Sequence, residues 1–287
     1  MAKFSTNVRI DREFARIAYE REKTRVDGFS HHQGVTRRGI RLALALTLLA
    51  ISIGPAATVR AGQSPARLPD LAMLPPFDFR IENNGGQRLL RFSTVQVNVG
   101  PGPFRLKGSD EDGTADEGDV LSVVQWIKRE DGTWTQRDTT AHMSWSGDGH
   151  DHWHLIDFQR FKLRSLDAEP LGNVAKIGFC AFDSYPYTSP KQAFYTSERD
   201  ICQTNSNGKV LMGTSRGWGD IYRWSIAFQW IDITGLPNGD YKLRVLVDPP
   251  IGSKGRFRES DNSNNRAWTK IHIGTSNVTI LAKSGNP

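Results

Sequence analysis

The chain has 287 residues, 38% hydrophobic and 24% charged, with 27 Gly and 14 Pro, which excludes a fibrous or disordered protein and fits one large loop-rich domain or two small ones. Its net charge of +6 is not spread evenly: residues 1–61 hold 11 Lys/Arg against 5 Asp/Glu, leaving 26 of each in residues 62–287. That neutral remainder lacks the field that holds a phosphate backbone, so nucleic acid is excluded as the default partner.

The first element in chain order is a targeting segment. Residues 42–53 read LALALTLLAISI, too short for a bilayer span of about 20 residues but suited to the apolar region of a signal peptide. Arg37-Arg38-Gly39-Ile40-Arg41 precedes it, and Val59-Arg60-Ala61 offers small residues to a peptidase. Residues 1–61 are therefore expected to be an N-terminal extension and signal peptide. Residues 62–287 are then the mature domain, with no stable membrane span, secreted or periplasmic. Thr36-Arg37-Arg38 resembles a twin-arginine signal, so Sec and twin-arginine export both stay open. An uncleaved anchor is the alternative.

Beyond a Pro-rich entry at 68–76, short runs rich in β-branched and aromatic residues alternate with Gly, Asn, Asp and Pro. Candidate strands cover 88–99, 120–128, 153–164, 174–182, 225–233, 241–247 and 267–280. Turn residues punctuate them at Asn84-Gly85-Gly86, Asp131-Gly132 and Leu236-Pro237-Asn238-Gly239-Asp240. No helical apolar period is sustained. The expectation is an all-β domain, a β-sandwich with long loops. Segment 183–219 shows no clean strand and reads as a long excursion. Cys180 and Cys202 are the only cysteines; in an exported chain they are expected to pair, closing a loop worth about 3 kcal/mol.

The sharpest motif is Gly147-Asp148-Gly149-His150-Asp151-His152-Trp153-His154. Histidines at i, i+2 and i+4 share one face of an extended chain, but the outer two would stand about 13 Å apart on an ideal strand. Reaching one ion requires a bend, expected at the glycines. Three neutral imidazoles suit Cu, Zn, Ni or Fe, with nitrogen affinity favouring Cu(II). Zinc would give a hydrolytic centre and copper an oxidative one; spacing alone leaves both open. Asp148 and Asp151 are candidates to orient the imidazoles.

Four stretches taken in order bear on that choice: Leu68-Pro69-Asp70-Leu71 leading to Arg88-Leu89-Leu90-Arg91-Phe92; the histidines followed by Asp157-Phe158; Lys176-Ile177-Gly178-Phe179-Cys180; and Asp220-Ile221-Tyr222 ahead of Gln229-Trp230-Ile231-Asp232-Ile233-Thr234. Together they resemble the lysyl oxidase family in its bacterial lysyl-oxidase-like form. The resemblance implies a copper-dependent amine oxidase that converts primary amines, as lysine side chains or small amines, to aldehydes. O₂ is the co-substrate, and H₂O₂ and ammonia are released. It implies that His150, His152 and His154 ligate copper. It further implies that Lys176 and Tyr222 join into a lysine tyrosylquinone, the electron sink of the reaction. Asp220 is a candidate for the base that removes the substrate α-proton, with Asp183 its competitor.

Glu259-Ser260-Asp261-Asn262-Ser263-Asn264-Asn265 gathers oxygen donors suited to a hard cation. The resemblance adds Asp70 and the Leu71 carbonyl to Glu259, Asp261, Asn264 and Asn265 as a calcium site. An Asx-rich turn closed by its own side chains is the alternative. Two departures are plain: fewer cysteines than the animal members, and a longer stretch between Lys176 and Tyr222. The competing readings are a zinc β-sandwich hydrolase and a non-catalytic binding module, neither with a quinone.

Overall fold

Strict alternation of buried and outward side chains builds this protein. In Val120–Arg129 the buried set is Leu121, Val123, Gln125 and Ile127; in Gly239–Val247 it is Tyr241, Leu243, Val245 and Val247. A period of two places one row on the core and the other outside. The computed structural model describes residues 64–287 apart from 111–117, 147–150, 167–169, 175, 191 and 252–254, so the export segment, His150, Asp148 and the two bend glycines lie outside the described residues.

Ser64–Pro287 is all-β, a β-sandwich of three antiparallel sheets closed on one core. One seven-stranded sheet runs from Gly178–Phe179 through His152–Ile156, Trp134–Ser146, Val120–Arg129 and Phe104–Ser109 to Lys209–Thr214, with Ala66–Arg67 added alongside Val120–Arg129. The five-stranded sheet runs Pro170–Leu171, Gln159–Ser165, Gly239–Val247, Arg266–Ile273, Val278–Lys283. The third is organised on Gln87–Asn98, which pairs with Phe77–Asn84, Leu71–Met73, Trp230–Asp232 and Trp218–Tyr222. Aromatic rings stitch the sheets together. Phe161 meets Phe92 edge-on at 5.2 Å and Phe179 at 6.0 Å. Among the described residues the only helical turn is Ser197–Arg199, and no helix is long and apolar enough to cross a membrane.

Of the expected strands, 225–233 keeps only Trp230–Asp232, 267–280 divides into Arg266–Ile273 and Val278–Lys283 around a turn, and two others are broken for one reason. The run 153–164 divides at Asp157, whose φ is 56°: His152–Ile156 belongs to the first sheet and Gln159–Ser165 to the five-stranded one. The run 174–182 keeps only Asn173–Val174, paired with Trp230–Asp232, and Gly178–Phe179, paired with His152–Ile156. In both places the chain changes sheets, which apolar patterning does not reveal. Segment 183–219 is not strand-free. Lys209–Thr214 pairs with Phe104–Ser109 over six residues; of its inward residues Val210, Met212 and Thr214, the first two are hidden between Asn205-Ser206-Asn207-Gly208 and Gly213. The turn expected at Asn84-Gly85-Gly86 is present, with φ of 57° and 84° at the glycines, and it joins 87–98 to an unexpected partner strand, Phe77–Asn84.

Asp183 clasps the excursion. Its carboxylate accepts from the amides of Phe194, Tyr195 and Ser215 and from the Ser215 hydroxyl, at 2.7–3.0 Å. Cys180 and Cys202 are joined, 22 residues apart in sequence. Replacing both with serine removes about 3 kcal/mol by loop-closure entropy. In a domain of this size that lowers the melting temperature by roughly 6–12 °C; an unchanged thermal melt would contradict a stabilising role for the bond.

Candidate active site

His152 and His154 point away from the core because their neighbours are locked into it. Trp153 and Leu155 are fully buried. Trp153 packs edge-on against Trp145 at 5.6 Å, its amide donates to the Cys202 carbonyl, and its indole donates to the Thr204 hydroxyl at 2.9 Å. The His154 ring lies over Gly178, where a Cβ would stand 2.8 Å from its Nδ1; only glycine leaves room for it. Asp151, with φ of 40°, turns the chain out of extended conformation between His150 and His152. Asp151 is exposed, and its carbonyl accepts from Gln203.

The two Nε2 atoms are 2.9 Å apart, with ring planes at 87°. One imidazole donating to the other, or both facing one cation, gives that spacing. Two nitrogens about 2.05 Å from one ion lie about 2.9 Å apart at a right angle and about 3.3 Å apart at the tetrahedral angle. Both imidazoles are nitrogen donors of the kind that Cu(II) and Zn²⁺ accept, and the spacing is the same for either role, hydrogen bonding or ligation.

Lys176 and Tyr222 are brought together although 46 residues separate them. Lys176 occupies the crossing between two sheets, is 8% exposed, and holds its Nζ 5.1 Å from the centre of the Tyr222 ring and 5.2 Å from that of Phe179. Tyr222 comes from Trp218–Tyr222, directly across from Thr94. Its ring meets Phe179 edge-on at 5.1 Å, and its hydroxyl donates to the Cys180 carbonyl at 2.8 Å. The imidazole pair and the lysine–tyrosine pair therefore flank the same two-residue strand, Gly178–Phe179. Phe179 shares the core-facing side of its cross-strand partner Leu155, whereas His154 faces the other way.

Asp220 has the same inward orientation as Tyr222 and is fully buried. One carboxylate oxygen accepts from the Ser184 hydroxyl at 2.7 Å; the other lies toward the Tyr222 hydroxyl, outside good hydrogen-bond geometry, and that hydroxyl donates to the Cys180 carbonyl. Burial raises its pKa to about 7, against the opposing pull of the Tyr222 and Ser184 hydroxyls and the Lys176 ammonium. Burial and the Asp220 charge together push the Tyr222 phenol well above its ordinary value. Asp183, with four donors on its carboxylate, is committed to its clasp. Sequence reasoning missed the polar seam behind this pair. Gln96 lies across from Asp220 with neither end of its amide bonded, and Thr94 contacts Gln159 and Gln229. All four are buried. The available signal was the alternating Thr94-x-Gln96-x-Asn98, which reads as a solvent-facing row.

Of the proposed calcium ligands, Asp70, Glu259, Asn264 and Asn265 form one cluster. Asn264 donates to Asp70 at 2.8 Å, and Asn265 and the Leu71 amide donate to Glu259 at 3.0 and 2.6 Å. Burial, then the Asp248 and Asp70 carboxylates, raise the Glu259 pKa well above its usual range. The side-chain oxygens of Asn264 and Asn265 are buried without partners, as open donors for a hard cation would be. Asp261 stands apart: it is exposed, and its carboxylate accepts from Ser263, the Asx-turn alternative.

The sequence family described as Lysyl oxidase matches residues 107–282. Lysyl oxidase homolog 2 of Xenopus tropicalis is 30% identical over 209 residues, 68% of this chain and 21% of the relative. Lysyl oxidase homolog 3A of Danio rerio is 28% identical over 205 residues, 67% and 22% respectively. The chain thus spans about a fifth of the length of these relatives.

Because the folded-state pKa of Asp220 is raised above the ordinary 3.8 to about 7, the native state binds the extra proton between those limits, and stability falls as pH rises through that window. Asp220→Asn is expected to flatten the denaturant-derived stability profile between about pH 4 and 7. An unaltered slope would contradict the buried, proton-holding carboxyl.

Proposed function

From the premise that this chain belongs to the lysyl oxidase family, we propose that Ser64–Pro287 is the catalytic domain of an exported copper- and quinone-dependent oxidase of primary amines. The observation that carries the reading is the buried Lys176 Nζ standing 5.1 Å from the centre of the Tyr222 ring, within reach of a rotamer change. His150, His152 and His154 would hold copper, and Lys176 and Tyr222 would carry the lysine tyrosylquinone. Bound there, these groups supply electron acceptance from the amine and return of electrons to O₂.

The remaining work belongs to the chain's own residues. The Cys180 carbonyl and the Phe179 edge fix the tyrosine ring, and burial keeps bulk water from it. Asp220, with one oxygen toward the Tyr222 hydroxyl and a pKa of about 7, can take and return a proton near neutral pH. The disulfide supports an oxidising compartment. The Asp70–Glu259 cluster would bind calcium between the chain entry and the segment 259–265. Calcium is then expected to raise the melting temperature, and Glu259→Gln to abolish that rise; identical melts with and without calcium would count against the site.

Protein matured with copper is expected to stain for quinone and to gain a visible hydrazone band with phenylhydrazine. Lys176→Ala and Tyr222→Phe should lack both. Equal staining in all three proteins would defeat the assignment.

A further inference from the structure

We propose that the outer face of the five-stranded sheet is a binding site for a linear anionic polysaccharide. The register of Gln159–Ser165, Gly239–Val247 and Arg266–Ile273 sets three outward side chains from each strand into a three-by-three grid. Lys242 lies between Arg164 and Lys270. In the next row Arg244 lies between Lys162 and Trp268, and in the third Leu246 lies between Arg160 and Arg266. Seven of nine positions are cations.

Arg160 pairs with Asp157 at 2.7 Å and Lys270 with Asp240 at 3.5 Å. Lys162, Lys242, Arg244 and Arg266 have no carboxylate partner among the described residues. Like charges directly opposite on neighbouring strands are destabilising, so folding alone disfavours this arrangement. A ligand that neutralises the rows would relieve it.

The form of the face selects the ligand. Arg164, Lys242, Arg244, Trp268 and Lys270 line a groove of about 270 Å³, which suits a chain more than a plane of lipid headgroups. Cations repeat about every 4.8 Å across the strands, close to the length of one sugar residue. Leu246 and Trp268, one of whose faces carries the Lys242 ammonium 3.9 Å from the ring centre, supply the apolar contacts that sugar ring faces take. A single aromatic offers no stacking ladder for bases. The face is also distinct from the amine site, because a field of cations repels a primary ammonium. Phe161, on the inner side of this sheet, touches Phe179 of the site, so a chain held outside leaves the site turned away from it.

The test uses the full chain with fluorescent dextran sulfate, neutral dextran, a single-stranded oligothymidine and anionic phosphatidylglycerol vesicles. Dextran sulfate alone is expected to bind, with affinity falling about a hundredfold between about 50 and about 200 mM salt. Lys242→Glu should lose binding at least tenfold while raising the melting temperature, because it places a carboxylate between Arg164 and Lys270. Arg244→Ser, at an exposed position, tests the same loss without charge reversal. Equal or tighter binding of the oligonucleotide or vesicles would overturn the proposal. So would undiminished binding in either variant, a lowered melting temperature for Lys242→Glu, or an equal loss in Lys209→Glu, which changes the net charge on another sheet.

Discussion

The site depends on how the chain crosses from one sheet to another at 174–180. Val174 ends in the sheet built on Gln87–Asn98, and Gly178 begins pairing in the sheet that carries the histidines. Lys176 must therefore lie between the layers, where an ammonium is held over the Phe179 and Tyr222 rings. The three residues after Ile177 each fix one partner. Gly178 admits His154, Phe179 braces the tyrosine ring, and the Cys180 carbonyl receives its hydroxyl. The disulfide to Cys202 then anchors the end of the crossing, and Cys202 in turn binds the Trp153 amide between the two histidines. Movement of this short segment would disturb every component at once.

Around it the protein accepts an unusual interior. Thr94, Gln96, Gln159, Asp220 and Gln229 are buried beside aromatic side chains, and several of their polar atoms lack partners. Each such atom carries a desolvation cost of about 1–3 kcal/mol. A sandwich selected only for stability would fill these positions with Val or Leu. The polar seam runs along the strand pair that supplies Tyr222 and Asp220, so hydrogen-bonding groups surround a titratable carboxyl next to a phenol in an otherwise apolar core.

The all-β class and the turns at 84–86 and 131–132 were legible because alternation and turn residues are local signals. The candidate cofactor pair was legible only through resemblance. Nothing in Val174-Ala175-Lys176 or Ile221-Tyr222 announces that the two segments meet, since their meeting follows from a change of sheet. Patterning missed the strands at 77–84, 104–109 and 134–146, where charged and polar residues dilute the outward rows. The inward polar row of Gln87–Asn98 misled for the opposite reason: both faces of that strand are covered, so Thr94 and Gln96 are buried despite their chemistry. The competition between Asp183 and Asp220 could not be resolved from spacing either. The two differ in how many donors surround each carboxylate, which is a property of the fold.

The most direct measurement is peptide mapping by mass spectrometry of copper-matured protein digested with its disulfide reduced. The account predicts that the peptides containing Lys176 and Tyr222 leave as one covalent species, lighter than their sum by the hydrogens lost on joining. Recovery of the two as separate, unmodified peptides from metal-loaded, amine-oxidising protein would contradict it.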